Sequence, residues 1–237
     1  MKLLNTKDMS RAKNWRICIY GKAGIGKTST IKNLKGKTFV LDLDNSSKVL
    51  ADPEREIEIG QMDRTKPIEE INDFVQNLLP KITKEYDNLV VDNASSFETD
   101  WFIERGRNSK SGINNEIQDY STWKNYFLRV IGAIYQSDIN ILVTAWERQR
   151  DITAETGQSF TQFVPDLRDS VINNFMGLTD VVARMVVNPK TDERGFILDG
   201  NNAIFAKNRL DQRKACKASE LFDIEDTNDN KAEVSEK

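Results

Sequence analysis

The chain has 237 residues, of which 38% are hydrophobic and 30% charged, with a net charge of −3, as in an ordinary globular protein with its own core. It contains no histidine, which excludes imidazole catalysis and imidazole metal ligands, and its two cysteines, Cys18 and Cys216, are too few and too separated for a metal site or a disulfide framework. No apolar stretch approaches the roughly 20 residues that span a bilayer, and the start lacks the apolar region of a signal peptide, so we expect a cytoplasmic protein without a membrane partner.

An apolar run over residues 15–20 predicts a short buried strand, and it leads directly into a match to the phosphate-binding motif G-x-x-x-x-G-K-[ST]. The nucleotide-binding candidates are the residues of this motif and the next one, Gly21, Lys22, Ala23, Gly24, Ile25, Gly26, Lys27, Thr28 and Ser29. Glycines allow backbone conformations that a Cβ forbids, so that consecutive N–H groups turn inward around an anion. A glycine-rich turn that binds nothing is the alternative, but strand, loop and helix follow in the order that the motif needs.

Two side chains of the motif have separate tasks in phosphate chemistry. Lys27 supplies a mobile positive charge for the β- and γ-phosphates, and the hydroxyl of Thr28 is a natural ligand for Mg²⁺. The helix that begins here adds its positive dipole end. We therefore expect ATP and Mg²⁺ as cofactors.

The rest of the chain first alternates between strand and helix patterns. We predict strands over 38–43, 57–59, 88–92 and 139–144, and helices over 28–34, 67–80, 95–105, 116–136 and 167–176. The segments 106–115 and 147–166 are polar without a clear period and are interpreted as loops. Short strands separated by turn-forming residues follow over 180–187, 195–198 and 203–206. This order predicts one α/β domain, a mostly parallel central sheet flanked by helices with C-terminal antiparallel strands.

Carboxylates follow three of the predicted strands. Asp92 ends a buried strand and is expected to hold Mg²⁺ together with Thr28, although it could instead cap the next helix. Hydrolysis also needs a carboxylate that orients or deprotonates water. The candidates are Asp42, Asp44 and Glu147, each of which could equally be a solvated or capping residue.

The order of these parts resembles the RecA-like ATPase core. The matching segments are the P-loop strand, VLDLD, NLVVD, ILVTAWE and AIFAKNRL. The resemblance implies that Asp44 is the catalytic acid, an Asp where the family more often has Glu, and that γ-phosphate sensing falls near Thr144 to Glu147, where the usual Asn-Gln is missing. We carry over Glu147 alone for that role.

Lys207 and Arg209 match the K-x-R pattern that hexameric and filamentous members of this family present to a neighbour's nucleotide. Residues two apart on an extended strand share one face, so both side chains could reach the same phosphate. A cation from the next subunit would stabilise transition-state charge. A solvated strand end is the alternative.

Over residues 15–212 the chain also resembles a small phage group of AAA-family ATPases, similar to a stripped RecA core that acts as a single-strand annealing partner in recombination. TAWE, a late DVVAR strand and AKNRLD carry this resemblance. It implies binding of single-stranded DNA by two loops, 104–115 and 147–166, and self-association into a ring or filament. A single-stranded DNA-binding protein is a further candidate partner, and the host cytoplasm is the expected location if the protein is phage-encoded.

Basic side chains in both segments suit contacts with phosphates, while aromatic ones could stack on bases. They are Arg105, Arg107 and Lys110 in the first, and Arg148, Arg150 and Arg168 with Phe160 and Phe163 in the second. Solvated loops of this composition are common, which is the alternative.

The chain ends in an acidic segment. Residues 220–237 carry seven acids and two lysines, a net charge of −5, which leaves residues 1–219 at +2. A mildly basic body of this kind is compatible with a polyanionic partner. We divide the chain into an N-terminal extension over 1–14, an ATPase domain over 15–222, and a tail over 223–237 that we expect to be disordered.

Three functions follow from these features. The first is a DNA-dependent ATPase acting in phage recombination or annealing. The second is a nucleotide-gated annealing or loading module with negligible turnover, which an Asp at position 44 makes credible. The third is a P-loop kinase of small molecules, with the arginines of 147–168 imitating a lid, although the antiparallel C-terminal strands argue against it.

Overall fold

The computed structural model describes residues 3, 5–6, 9–153 and 155–224. Their main feature is a sheet whose strands lie in the order β10 (Ala215–Lys217), β8 (Arg194–Ile197), β7 (Val181–Val187), β1 (Arg16–Gly21), β5 (Asn140–Thr153), β4 (Asn88–Asp92), β2 (Thr38–Asp42) and β3 (Ile57–Gln61). Strand β6 (Ser159–Pro165) pairs with β5, and β9 (Lys207–Asn208) pairs with β7. The parallel strands are β1 (Arg16–Gly21), β2 (Thr38–Asp42), β3 (Ile57–Gln61), β4 (Asn88–Asp92), β5 (Asn140–Thr153) and β7 (Val181–Val187). The predicted architecture, a mostly parallel central sheet flanked by helices, is present.

Helices cover both faces of this sheet. They are α1 (Lys27–Thr30), α2 (Pro67–Asp73), α3 (Leu79–Glu85), α4 (Ala94–Arg107), α5 (Ile117–Tyr135) and α6 (Asp169–Leu178). Side chains of β1 alternate between two cores: Cys18 and Tyr20 pack in one with α4, α5 and α6, while Ile17 and Ile19 pack in the other with the α1 region and the C-terminal strands. Burial on both faces explains why the central strands read as continuous apolar runs.

The helix predicted to stop at Pro80 continues to Glu85. A π-helical segment, Phe74–Leu78, connects α2 to α3, and Pro80 lies in the first turn of α3. The wider π-helical turn directly before Pro80 leaves room for the proline, and the N–H of Leu79 still donates to the oxygen of Phe74, so the helix continues through this position. The prediction of a helix end was therefore wrong.

The expected loop at 147–166 is a β-hairpin. Strand β5 continues past Thr144 to Thr153 and pairs antiparallel with β6 (Ser159–Pro165), in a register that joins Glu147 to Pro165. Most of its side chains are exposed or only partly buried, so backbone pairing rather than an apolar face holds the hairpin together, and no period-two pattern marks it in the sequence.

The antiparallel C-terminal strands are present, but at partly different positions. They are β8 (Arg194–Ile197), β9 (Lys207–Asn208) and β10 (Ala215–Lys217). The strand predicted over 203–206 is wrong, because the segment contributes only an isolated bridge between Ile204 and Phe163. Asn201 accepts two backbone N–H groups there and holds the chain in a turn.

Both ends of the described chain contact the domain. Arg11 donates to the backbone oxygen of Leu210 (3.4 Å), and Lys35 forms a 2.9 Å ion pair with Asp223. The tail expected to be disordered lies outside the described residues from 225 to 237. Among the helices that the structure describes, none has the length and apolar character needed to cross a bilayer.

Candidate functional site

The P-loop connects β1 to α1 at the carboxyl edge of the sheet. Gly24 and Gly26 have φ angles of 73° and 113°, a region that side chains with a Cβ rarely adopt, so the glycines are needed for the loop's shape. The buried ammonium of Lys27 donates to the carbonyl oxygens of Gly21 and Lys22, each at 2.9 Å. The loop therefore folds around the lysine, whose charge lies at its centre.

The buried position of Lys27 affects its protonation. Desolvation lowers the pKa of Lys27, and the charges of Asp92, Glu147 and Asp44 oppose this shift. Three carboxylates predicted as separate site residues are thus close enough to act on the same ammonium group. The P-loop and these carboxylates form one site.

Asp92 is the centre of a hydrogen-bonded group formed by β4, β5 and α1. Strand β5 lies between β1 and β4, so that Thr144 of β5 faces Asp92 at the end of β4. The Thr144 hydroxyl donates to Asp92 Oδ1 and the Thr28 hydroxyl to Oδ2, the latter at 2.8 Å. Burial raises the pKa of this carboxyl, although both hydrogen bonds oppose the shift. The predicted pairing of Asp92 with Thr28 is a contact in the structure.

This donor set fits a magnesium ion. A hydroxyl and a carboxylate are hard oxygen ligands, and Mg²⁺ is usually held by one or two such groups together with substrate phosphates and water. Among the described residues no cluster of three or more His, Cys, Asp or Glu side chains could hold a metal alone. The residues present therefore suit Mg²⁺ bound jointly with a nucleotide, with Thr28 and Asp92 as the protein's ligands.

The alternative role of Asp92, capping the next helix, belongs to its neighbour Asn93. The side-chain oxygen Oδ1 of Asn93 accepts the N–H of Ser96 (2.7 Å), and its side-chain Nδ2 donates to Asp44 Oδ2 (2.6 Å). Asp44 is thereby positioned next to the end of β4. Asp42, in contrast, is fully buried and accepts the backbone N–H groups at 46 and 47, so it stabilises a turn.

Glu147 is held by a residue that sequence reasoning did not assign. Arg184 of β7 donates from Nε to Glu147 Oε2 (3.0 Å), and both side chains are largely buried. The Arg184 guanidinium carbon also lies 3.6 Å from the ring centre of Phe163 in β6. The signal in the sequence that could have revealed Arg184 is its position as a lone arginine within the apolar run VVARMVV. The pair borders a cavity of about 430 Å³ next to the P-loop, and it connects that loop to the hairpin.

Lys207 and Arg209 lie far from the P-loop of their own chain. Strand β9 pairs with the start of β7, and the N–H of Arg209 donates to the oxygen of Asp180 (3.2 Å). Strand β1 extends from this level to Gly21, a distance of roughly 17 Å. Both cationic groups point to the backbone oxygen of Gly177, at 3.3 and 3.1 Å. They share this acceptor within the chain, and their predicted contact with one phosphate of a neighbouring subunit stays a prediction.

The surroundings of Lys207, including the nearby Arg209, change its pKa. Burial, reinforced by the neighbouring charge of Arg209, lowers the pKa of Lys207 to about 8. An anion bound next to Lys207 would favour its charged form and raise its pKa. The two cations thus lie close together at the edge of the sheet opposite to the P-loop.

The basic residues of the first predicted DNA segment differ in their surroundings. Arg105 lies in α4, where it pairs with the buried Asp119 (2.7 Å), and this contact stabilises the start of α5. Arg107 ends α4 and Lys110 lies in the following loop, and neither has an ion pair or a side-chain hydrogen bond with another described residue. These two remain available to phosphates.

The basic residues of the second segment are on the hairpin and its flank. Arg148 donates to Asp169 and to the oxygen of Leu167, and Arg150 donates to Gln162 (3.1 Å). These contacts use their donors within the chain. Phe163 packs beneath Arg184, and Phe160 is partly buried.

The two segments meet at Arg168. Its guanidinium pairs with Glu98 of α4 (3.6 Å) and lies 4.1 Å from the ring centre of Phe102 and 5.0 Å from that of Tyr120. The sequence placed Arg168 in the second segment, and the structure joins it to the helices that flank the first. Arg168 therefore links the end of the second segment to the helices on either side of the first.

The domain is similar in fold to solved structures of low sequence identity, and the first of these confirms the predicted fold class, a RecA-like P-loop NTPase fold. The RadB recombinase has a TM-score of 0.50 and 11% identity, with 86% of each chain covered. A KaiC-like protein from Pyrococcus horikoshii OT3 has a TM-score of 0.46 and 11% identity, with 78% of each chain covered. No curated protein matches the sequence. The model of the family described as "AAA domain" matches residues 13–210, most of the chain, which therefore belongs to this family of P-loop ATPases.

Proposed function

We propose that the protein hydrolyses ATP in an assembly of several copies and uses the nucleotide to control its hold on single-stranded DNA, as in recombination or annealing in a phage system. The observation that carries the nucleotide part is the contact of Thr28 and Thr144 with the two oxygens of Asp92, beside the buried Lys27. A hydroxyl, a carboxylate and an ammonium at the carboxyl ends of parallel strands are the groups that a Mg²⁺–triphosphate needs.

Each side chain of the site has a distinct task in this proposal. Lys27 leaves its two carbonyl partners for the β- and γ-phosphates, while Thr28 and Asp92 would hold Mg²⁺. When bound, Mg²⁺ neutralises charge that develops on the transferred phosphoryl group. Asp44, oriented by Asn93, accepts the proton of the attacking water.

Glu147 would connect the nucleotide to the DNA surface. It lies where its charge acts on Lys27, and its partner Arg184 packs on Phe163 of the hairpin. A change at the γ-phosphate that moves Glu147 would therefore also move Arg184, its ion-pair partner, and with it the contact of Arg184 with Phe163 of β6. This supports control of DNA binding by the nucleotide.

The direct test compares ATP turnover with and without oligo-dT, together with retention of the oligonucleotide at low salt. We expect DNA to raise turnover and ATP to raise retention. Absence of both effects would contradict a DNA-dependent ATPase. Phosphorylation of nucleosides or nucleotides by a monomeric protein would instead support the kinase alternative.

Asp44→Asn distinguishes hydrolysis from nucleotide gating. Both Asp44 oxygens are already engaged, by Asn93 and by the N–H of Ser46, which favours a weak or absent base and keeps the gating module as a second candidate. If Asp44 is the base, we expect turnover to fall about a hundredfold while ATP affinity stays unchanged. Single-turnover hydrolysis and equilibrium binding measure the two quantities. Normal annealing by this variant would show that hydrolysis is dispensable.

The DNA surface is tested by the salt dependence of binding. Replacing both Arg107 and Lys110 with Ala removes two unpaired cations, so we expect the slope of log K against log [salt] to fall by about 1.4, or 0.7 per phosphate contact on a single strand. Lys84→Ala, an exposed lysine on α3, is the matched control and should leave the slope unchanged. Equal slopes for all three proteins would exclude this loop from the DNA contact.

A further inference from the structure

A second cavity lies on the other side of the P-loop, between α1 and the C-terminal strands. It has a volume of about 440 Å³, within the range of small-molecule sites. Gly26, Ser29 and Asn33 line it from the P-loop side, and Arg194 and Ser219 are among the residues that line it from the C-terminal side. The C-terminal strands, which the sequence linked only to contacts between subunits, therefore form a wall beside the nucleotide site.

Arg194, the first residue of β8, lies directly against the P-loop. Its Cδ and Nε are each 3.2 Å from the place that a Cβ on Gly26 would occupy. A Cβ here would force the flexible arginine side chain to shift by a few tenths of an ångström. The φ of 113° is what requires glycine at position 26, and the contact shows how closely Arg194 approaches the loop.

The charge of Arg194 is unmatched within the described chain. Its neighbour Glu193 is 3.9 Å from Lys217, so these two charges pair with each other. The Arg194 guanidinium makes no hydrogen bond or ion pair with the other residues that the structure describes. A planar group with five donors thus borders the cavity without a partner.

The position of the cavity indicates which part of a nucleotide it would receive. In the proposed function Lys27, Thr28 and Asp92 hold the triphosphate end, and the chain continues from there to Ser29, which lines the cavity. Asn33, also on the P-loop side, donates to the oxygen of Ala218 on the C-terminal side (3.1 Å) and joins the two walls. A ligand that extends past Ser29 enters a space already formed by the fold.

We infer that the nucleoside end of ATP occupies this cavity and that Arg194 binds it within the same subunit, by stacking on the base and donating to the ribose. This inference rests on the proposed function, since it presupposes a triphosphate at the P-loop. It makes Arg194 a determinant of nucleotide affinity, separate from the residues that act on the γ-phosphate.

The test measures binding of Mg²⁺–ATP and Mg²⁺–tripolyphosphate by calorimetry. Arg194→Ala should weaken ATP binding about tenfold and leave tripolyphosphate binding unchanged, because the latter lacks a nucleoside. Lys190→Ala, an exposed lysine in the turn before β8 that does not line the cavity, should match the wild type for both ligands. Lys27→Ala should weaken both. Equal thermal midpoints of wild type and Arg194→Ala would verify that the variant is folded.

Two results would overturn the inference alone: ATP affinity in Arg194→Ala equal to that of the wild type, or an equal loss for ATP and tripolyphosphate, which would place the arginine on the phosphates. Wild-type protein that binds neither ligand would overturn the proposed function, and this inference with it. The two failures are therefore distinguishable.

Discussion

Asp92→Asn is expected to abolish ATP turnover while making the metal-free protein more stable. Removal of the carboxylate takes away a metal ligand worth several kcal/mol of transition-state stabilisation, so we expect a loss of about a thousandfold. Asn retains the shape and accepts a hydrogen bond from at least one of Thr28 and Thr144. Asp73→Asn, on the exposed side of α2, is the control and should keep full turnover.

The gain in stability follows from the direction of the pKa shift. Burial raises the pKa of Asp92 in the folded protein, so its ionised form costs free energy of folding. That cost is absent below the unfolded pKa of about 3.9, grows as the pH rises towards the folded pKa, and stays constant above it. The melting temperature of the variant should therefore exceed that of the wild type more at pH 7 than at pH 4, without metal. An unchanged turnover, or a lower melting temperature at pH 7, would contradict the assignment.

The double variant Lys207→Ala/Arg209→Ala is expected to lose about a thousandfold in turnover, the lower range for a cation supplied in trans. ATP binding should persist, because both residues lie at the edge of the sheet opposite to their own P-loop. The double substitution removes two hydrogen bonds to the backbone oxygen of Gly177. This oxygen lies at an exposed position where water can replace the lost donors, so folding should be preserved.

Mixing two inactive variants tests whether the cations act between subunits. The Asp92→Asn protein keeps its cations and the double variant keeps its nucleotide site, so a quarter of the interfaces in an equal mixture combine two intact halves. We therefore expect about a quarter of the wild-type turnover in a head-to-tail assembly. A mixture of Asp92→Asn with Lys27→Ala is the control and should stay inactive, since every site in it is defective. Failure of the first mixture to recover would exclude action in trans.

Local sequence was sufficient for the elements that create the nucleotide site. The run before Gly21 and the segment NLVVD formed the predicted strands, because strands buried on both faces need apolar side chains at every position. The P-loop was predictable since its glycines and Lys27 are fixed by short-range geometry. Asn93, the true helix cap, stands next to Asp92, so sequence could not decide between the two.

Contacts between distant segments required the tertiary structure. The insertion of β5 between β1 and β4 places Thr144 on Asp92, and nothing within either strand encodes that neighbour. The hairpin after Glu147 was missed because its pairing uses backbone groups that every residue carries.

Local sequence specifies the chemistry: a triphosphate motif, a pair of residues predicted to hold Mg²⁺, and a parallel sheet that brings them to one edge. Long-range packing sets the connections: Arg184 joins Glu147 to the hairpin, Arg168 links the end of the second basic segment to the helices beside the first, and Arg194 lies against Gly26. The physical reason is that a motif is specified by neighbours along the chain. The partner of a long cationic side chain is instead set by strand order and packing over many tens of residues.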